Sequence, residues 1–100
     1  MAKKLTIRNT RPSYETLWYF EANSTQNSAV REWLENNIDK VTFDFDIQND
    51  ALVQVLEFTF TDDVVAQEFS AFVASGNLSG AMEEYNTSVG ITSTQTNTDV

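Results

Sequence analysis

Apolar and polar positions alternate strictly through Val41-Thr42-Phe43-Asp44-Phe45-Asp46-Ile47, which predicts a half-buried β-strand. Turn chemistry follows in Gln48-Asn49-Asp50-Ala51, and Leu52 to Phe60 returns as a second strand. A hairpin closed by that loop sets Ile47 opposite Leu52, Phe45 opposite Gln54, Phe43 opposite Leu56 and Val41 opposite Phe58. All four pairs share one face. A slip of one residue would send Phe43 and Phe45 to the other side. The reverse face then carries Thr42, Asp44, Asp46, Val53, Val55, Glu57 and Thr59.

Upstream of the hairpin, Leu5 and Ile7 predict a short strand, and Asn9-Thr10-Arg11-Pro12-Ser13 predicts a turn. Glu15 to Glu21 is rich in strand-forming residues and reads as a further strand. Its even face is Thr16, Trp18 and Phe20, and its odd face Glu15, Leu17, Tyr19 and Glu21. Asn23-Ser24-Thr25 breaks the run and offers N-cap side chains. Val30, Trp33, Leu34 and Ile38 then recur at helical spacing, predicting a helix over about 26–38. After the hairpin, Thr61-Asp62-Asp63 places acids where a helix N-terminus favours them. Val65, Phe69, Phe72 and Val73 continue at helical spacing, and Gly76 is the expected stop. Leu78, Met82 and Tyr85 predict a short helix over 78–86, and Val89 and Ile91 a short last strand. Residues 92–100, rich in threonine, read as a polar tail.

The order β(β)–α–β–β–α–(α)–β predicts one α+β domain over residues 1–91, followed by the tail. It is the ferredoxin-like, split βαβ pattern: an antiparallel sheet with two main helices on one face and the other face open. The open face would carry Val53 and Val55, with Leu17 and Tyr19 beside them if Glu15–Glu21 joins the sheet.

Composition narrows the chemistry. The chain has 100 residues with no Cys and no His, so disulfides, thiolate metal sites and imidazole acid–base catalysis are excluded. Net charge is −9, and its distribution is uneven. Residues 41–100 hold ten acids and no base, whereas the first forty hold five acids against six bases. The larger part of the chain would repel a phosphate backbone, so no nucleic-acid partner is expected. The basic start is suited to an acidic neighbour, in cis or in another subunit. No apolar run reaches membrane-spanning length, and Met1 to Thr6 lacks the apolar core of a signal peptide. A cytoplasmic or virion location is the expectation, with no membrane partner.

Two resemblances add to this reading. The strand Val55 to Phe60, the acid-led segment Thr61 to Phe69, and Ala74-Ser75-Gly76 with a short helix and closing strand resemble, over about residues 52–92, the dimeric α+β barrel superfamily. That superfamily includes small antibiotic-biosynthesis monooxygenases and stress-responsive barrel proteins. The resemblance implies two open sheets meeting as a barrel, and a dimer. The histidines often found in that superfamily's haem or catalytic sites have no counterpart here, so no catalytic residue is carried over. The start (Met1-Ala2-Lys3-Lys4, then Thr10-Arg11-Pro12-Ser13) before an acidic, Thr/Asn-rich body is similar to small proteins of tailed phages, including those of marine cyanobacteria. That resemblance implies a virion or accessory role.

Candidate chemistry is sparse. Asp44 and Asp46 project from one strand face with Asp50 nearby, a partial oxygen set for a hard cation such as Ca²⁺. The segment lacks the glycine and distant glutamate of an EF-hand loop, and a solvated polar strand is the preferred reading. Phe43, Phe45, Phe58 and Phe60 sit on adjacent strands, as do the aromatics that stack on bases in RNA-recognition motifs. The register puts them instead on the helix-covered face, as core. Trp18 and Trp33 are expected core anchors, and Tyr19 the aromatic with an exposed role at an interface or pocket rim. The expected function is therefore a non-enzymatic, self-associating structural or interaction protein without a cofactor, a dimer through Leu17, Tyr19, Val53 and Val55. The rival is a small-ligand-binding protein or cofactor-independent enzyme with a pocket between sheet and helices, near Trp18, Tyr19 and Trp33.

Overall fold

Four β-strands in the order β2-β3-β1-β4 make one antiparallel sheet in the computed structural model, which describes residues 2–48, 50–75 and 78–99. The strands are β1 (Lys3–Thr10), β2 (Val41–Gln48), β3 (Val53–Phe60) and β4 (Thr92–Asp99). Between β1 and β2 run α1 (Tyr19–Ala22) and α2 (Ser24–Asn36). Between β3 and β4 run α3 (Asp63–Ser75) and α4 (Leu78–Val89). The helices lie on one side of the sheet. This is the α+β, split βαβ arrangement that the pattern of apolar positions predicts.

The helix ends follow local chemistry. Asp62 caps α3 by accepting the Val65 N–H at 3.0 Å, and Asp63 adds charge in the first turn. Asn37 closes α2, donating its side-chain amide to the Trp33 carbonyl at 2.9 Å. Gly90, at φ +82°, ends α4. The Ile91 N–H then reaches back to the Asn86 carbonyl at 2.8 Å, and Ile91 is buried. This is a Schellman closure, which needs the left-handed conformation glycine adopts without strain. Gly76, the expected stop of α3, lies outside the described residues, as does Asn49 of the hairpin turn.

Three sequence expectations change. The β2–β3 register pairs Val41 with Phe60, Phe43 with Phe58, Phe45 with Leu56 and Ile47 with Gln54. It is displaced by two residues, so every side chain keeps its face. The turn falls one position later than expected and passes through Asp50 and Ala51 at φ 54° and 70°.

Glu15–Glu21 is not a strand. Ser13 and Thr16 form a turn, and α1 begins at Tyr19, with Glu21 accepting the Trp18 N–H at 3.2 Å. Arg11 holds this segment. Its guanidinium donates to the Thr16 carbonyl at 2.8 Å and the Ala51 carbonyl at 2.9 Å, and lies 4.7 Å over the Trp18 ring. Strand propensity is a statement about fit to a sheet, and here the loop's tertiary contacts override it.

The expected tail is β4, paired with β1 along Thr92–Asp99. Val89 and Ile91 belong to the helix end and its closure, not to a strand. Thr92, Thr94, Thr96 and Thr98 suit a strand by their β-branching, but every described residue of β4 is exposed, so no apolar alternation announces it.

The main core gathers Ile7, Leu56, Phe58, Phe60, Val41, Val65 and Phe69, with Trp33 edge-on against Phe69 at 5.1 Å. A second cluster holds Tyr19 and Val30 against Phe72, Met82 and Tyr85. Phe58 and Phe45 are residues of one type on neighbouring strands, the first buried and the second exposed. Urea denaturation of Phe58→Ala is expected to show a loss of about 3–5 kcal/mol, and Phe45→Ala a loss under about 1 kcal/mol.

Candidate functional site: an exposed aromatic strand and a sheet–helix cleft

The basic start of the chain is spent within the fold. Lys3 contacts Asp99 of β4 and lies 3.6 Å from Asp63 of α3, and Lys4 lies 3.2 Å from Glu57 of β3. The hydrogen bond to Asp99 raises the pKa of the Lys3 ammonium above its usual value. Arg8 reaches Gln48 of β2 at 3.4 Å. These cations sit on β1, between the acid-bearing strands, which is why the charge split along the sequence closes in cis.

The face of the sheet away from the helices is mostly polar. Alternation from the observed register gives it Lys4, Thr6, Arg8 and Thr10 from β1, Thr42, Asp44, Asp46 and Gln48 from β2, four threonines from β4, and the expected Val53 and Val55 with Glu57 and Thr59 from β3. Asp46 accepts from the Gln48 amide at 3.0 Å. No group of three or more potential metal-ligating side chains gathers among the described residues, so Asp44, Asp46 and Asp50 do not converge.

The four residues expected at an interface do not form a patch. Val53 and Tyr19 are buried, Val55 is half-buried in β3, and Leu17 is exposed in the loop before α1. The Leu17 carbonyl accepts the Tyr85 O–H at 2.7 Å, which ties that loop to α4. Tyr19 points into the second cluster, edge-on to Phe20 at 5.3 Å and Tyr85 at 5.7 Å.

Tyr14, Leu17 and Val64 are exposed singly, whereas a row of exposed apolar side chains lies on the helix-facing side of β2. Phe43 is 39% exposed, Phe45 63% and Ile47 41%, and Ile38 just before the strand is 78% exposed. Phe43 and Phe45 stack nearly parallel at 6.4 Å. The alternation along β2 places Phe43 and Phe45 on the correct face, and core is the natural expectation for that face. It carries no sign that the helices leave every described residue of β2 beyond Val41 exposed.

Sheet and helices also leave a cleft of about 770 Å³ between them. Leu56 and Phe58 form its floor, Phe69 and Val73 of α3 and Met82 of α4 its walls, and Asn86, Ser93 and Gln95 its polar side. Trp18, Tyr19 and Trp33, the residues expected around a pocket, do not line it; Phe20 and Val30 do.

No known family's model matches this chain, and no curated protein matches it in sequence. Two solved structures are similar in outline. One is a hydantoinase/carbamoylase family amidase from Burkholderia ambifaria, at 10% identity and a TM-score of 0.49. The alignment covers 98% of this chain and 27% of the amidase, so the chain spans about a quarter of that protein's length. The other is Rv0793 from Mycobacterium tuberculosis, at 14% identity and a TM-score of 0.44, covering 98% of this chain and 95% of that one. Likenesses at this level do not extend to function.

The buried Tyr19 hydroxyl has no hydrogen-bond partner, and burial raises its pKa above the ordinary tyrosine value. A group whose neutral form is favoured by folding contributes stability at pH below the ordinary tyrosine value, and loses it as pH rises through the folded value. Tyr19→Phe removes the unpartnered group, so denaturant unfolding is expected to show it as stable as wild type, or more stable by about 1 kcal/mol. The variant is also expected to lose part of the decline in stability that wild type shows on moving from neutral to strongly alkaline pH.

Proposed function

We propose that the chain is a non-enzymatic structural or interaction protein that works as a homodimer, built through the helix-facing side of β2. The observation that carries this reading is the row Phe43, Phe45 and Ile47, exposed on a strand at the edge of the sheet. Burying one fully exposed Phe is worth roughly 1.5–3 kcal/mol, so three half-exposed residues offer a few kcal/mol per subunit when covered. Contiguous apolar surface of this kind marks interaction sites.

A second copy is the occupant that the charges favour. Asp44 and Asp46 alternate with the apolar row and lie on the opposite face of the sheet. Pairing two β2 edges antiparallel would bring these carboxylates of both copies side by side, which is unfavourable. Packing the apolar row of one copy against that of another leaves the carboxylates in water on the outer faces. A two-fold contact of this type uses the same patch twice and closes at two subunits. The lack of His and Cys agrees with a role that needs no imidazole or thiolate chemistry. A place in a phage particle or as a phage accessory protein fits the character of the chain's start and is part of the proposal.

The test is mass in solution by sedimentation equilibrium. Wild type is expected at twice the 11.3 kDa chain mass, and Phe45→Glu at the chain mass. Val55→Glu and Asp46→Asn, on the opposite face, are expected to remain dimers. A monomeric wild type, or an unchanged dimer in Phe45→Glu, would overturn the reading.

A further inference from the structure

We infer that the cleft between the sheet and the helices is a binding site for an uncharged amphiphile with an apolar body and a polar, hydrogen-bonding head. This is separate from the self-association above, which uses β2 and not the cleft. The volume of about 770 Å³ lies within the range of small-molecule sites, roughly 300–1,000 Å³. Its interior is aliphatic and aromatic, with Leu56, Phe58, Phe69 and Val73 around the centre.

Apart from Ser70 on α3, the polar groups lie on the side formed by α4 and β4. Asn86 is buried there, beside Ser93 and Gln95. These side chains assign the polar head of the ligand to the α4–β4 end.

Charge sets the class. Among the described lining residues there is no Lys or Arg, and Glu83 is the one ionisable side chain. A carboxylate or phosphate would leave water for an apolar cleft, meet no cation and face Glu83. An uncharged molecule meets no such penalty.

A matched pair of dyes tests the assignment. N-phenyl-naphthylamine is uncharged, apolar and carries one N–H donor; anilinonaphthalene sulfonate is the same framework with an anion attached. Fluorescence titration of wild type is expected to show saturable one-to-one binding of the first, and at least about tenfold weaker binding of the second. Ser70 and Ala74 are exposed residues on the cleft rim, so Ser70→Trp and Ala74→Trp block it without disturbing the core. Each is expected to weaken the uncharged dye at least about tenfold while circular dichroism and melting temperature stay as in wild type. Glu68→Trp, exposed on α3 outside the cleft, should bind as wild type does, and so should Phe45→Glu. No saturable binding, equal affinity for the two dyes, or full binding in both rim variants would overturn the inference. So would loss of binding in Phe45→Glu, which would place the dye on β2.

Discussion

Strand β1 hydrogen-bonds on both sides to segments far away in the sequence, Lys3 facing Phe60 of β3 and also Asp99 of β4. The β2–β3 hairpin forms between neighbours in the chain and needs no help to find its partner. β4, which pairs only with β1, has no place until β1 lies against β3. Closing those long loops costs entropy before any contact repays it. The return comes from Ile7 and Leu5 in the core on one face. It comes also from Lys3 and Lys4, which meet acids on β4, α3 and β3. The basic beginning of an otherwise acidic chain is therefore a structural device: it lets acid-rich strands and helices gather around one central strand.

From that centre outward the protection thins. Phe58 and Phe60 on β3 are buried under Phe69, but the neighbouring β2 is exposed beyond Val41, and β4 is exposed throughout its described residues. The two edges differ in character. β4 shows threonines and other polar side chains to water, as a solvated edge does. β2 shows acids on one face and aromatics on the other, a division that favours a partner on the aromatic side and resists pairing through the acidic one. The same looseness, between sheet and helices, leaves the cleft. Two contiguous apolar surfaces among the described residues thus stay uncovered, one suited to a second copy and the other to a small amphiphile.

Much of the fold is legible in the sequence, and the parts that are not have physical reasons. Alternation in Val41–Ile47 and helical spacing in Val65–Val73 carry strong periodic signals because one side of each element is apolar. The hairpin register differs by two from the expected one, since facing depends on parity and parity does not see the position of the turn at Asp50 and Ala51. Leu17 to Phe20 has the composition of a strand but is held as loop and helix by Arg11 and Glu21 through contacts that no local pattern reveals. Thr92–Asp99 is unreadable as a strand because neither face is buried. At the candidate site, alternation puts Phe43 and Phe45 on their correct side of the sheet. Their exposure is hidden, because it depends on how far the helices reach across the sheet. The cleft has no sequence signal at all: its lining residues look like ordinary core until the distance between sheet and helices is known.

The central role of β1 is tested most directly by native-state amide hydrogen exchange read residue by residue. Strong protection is expected along the whole of β1, which is bonded on both sides. Alternating protection is expected along Thr92–Asp99, where only the amides turned toward β1 are bonded. Uniformly free exchange over residues 92–99, with β1 protected only at the amides that face β3, would contradict that role.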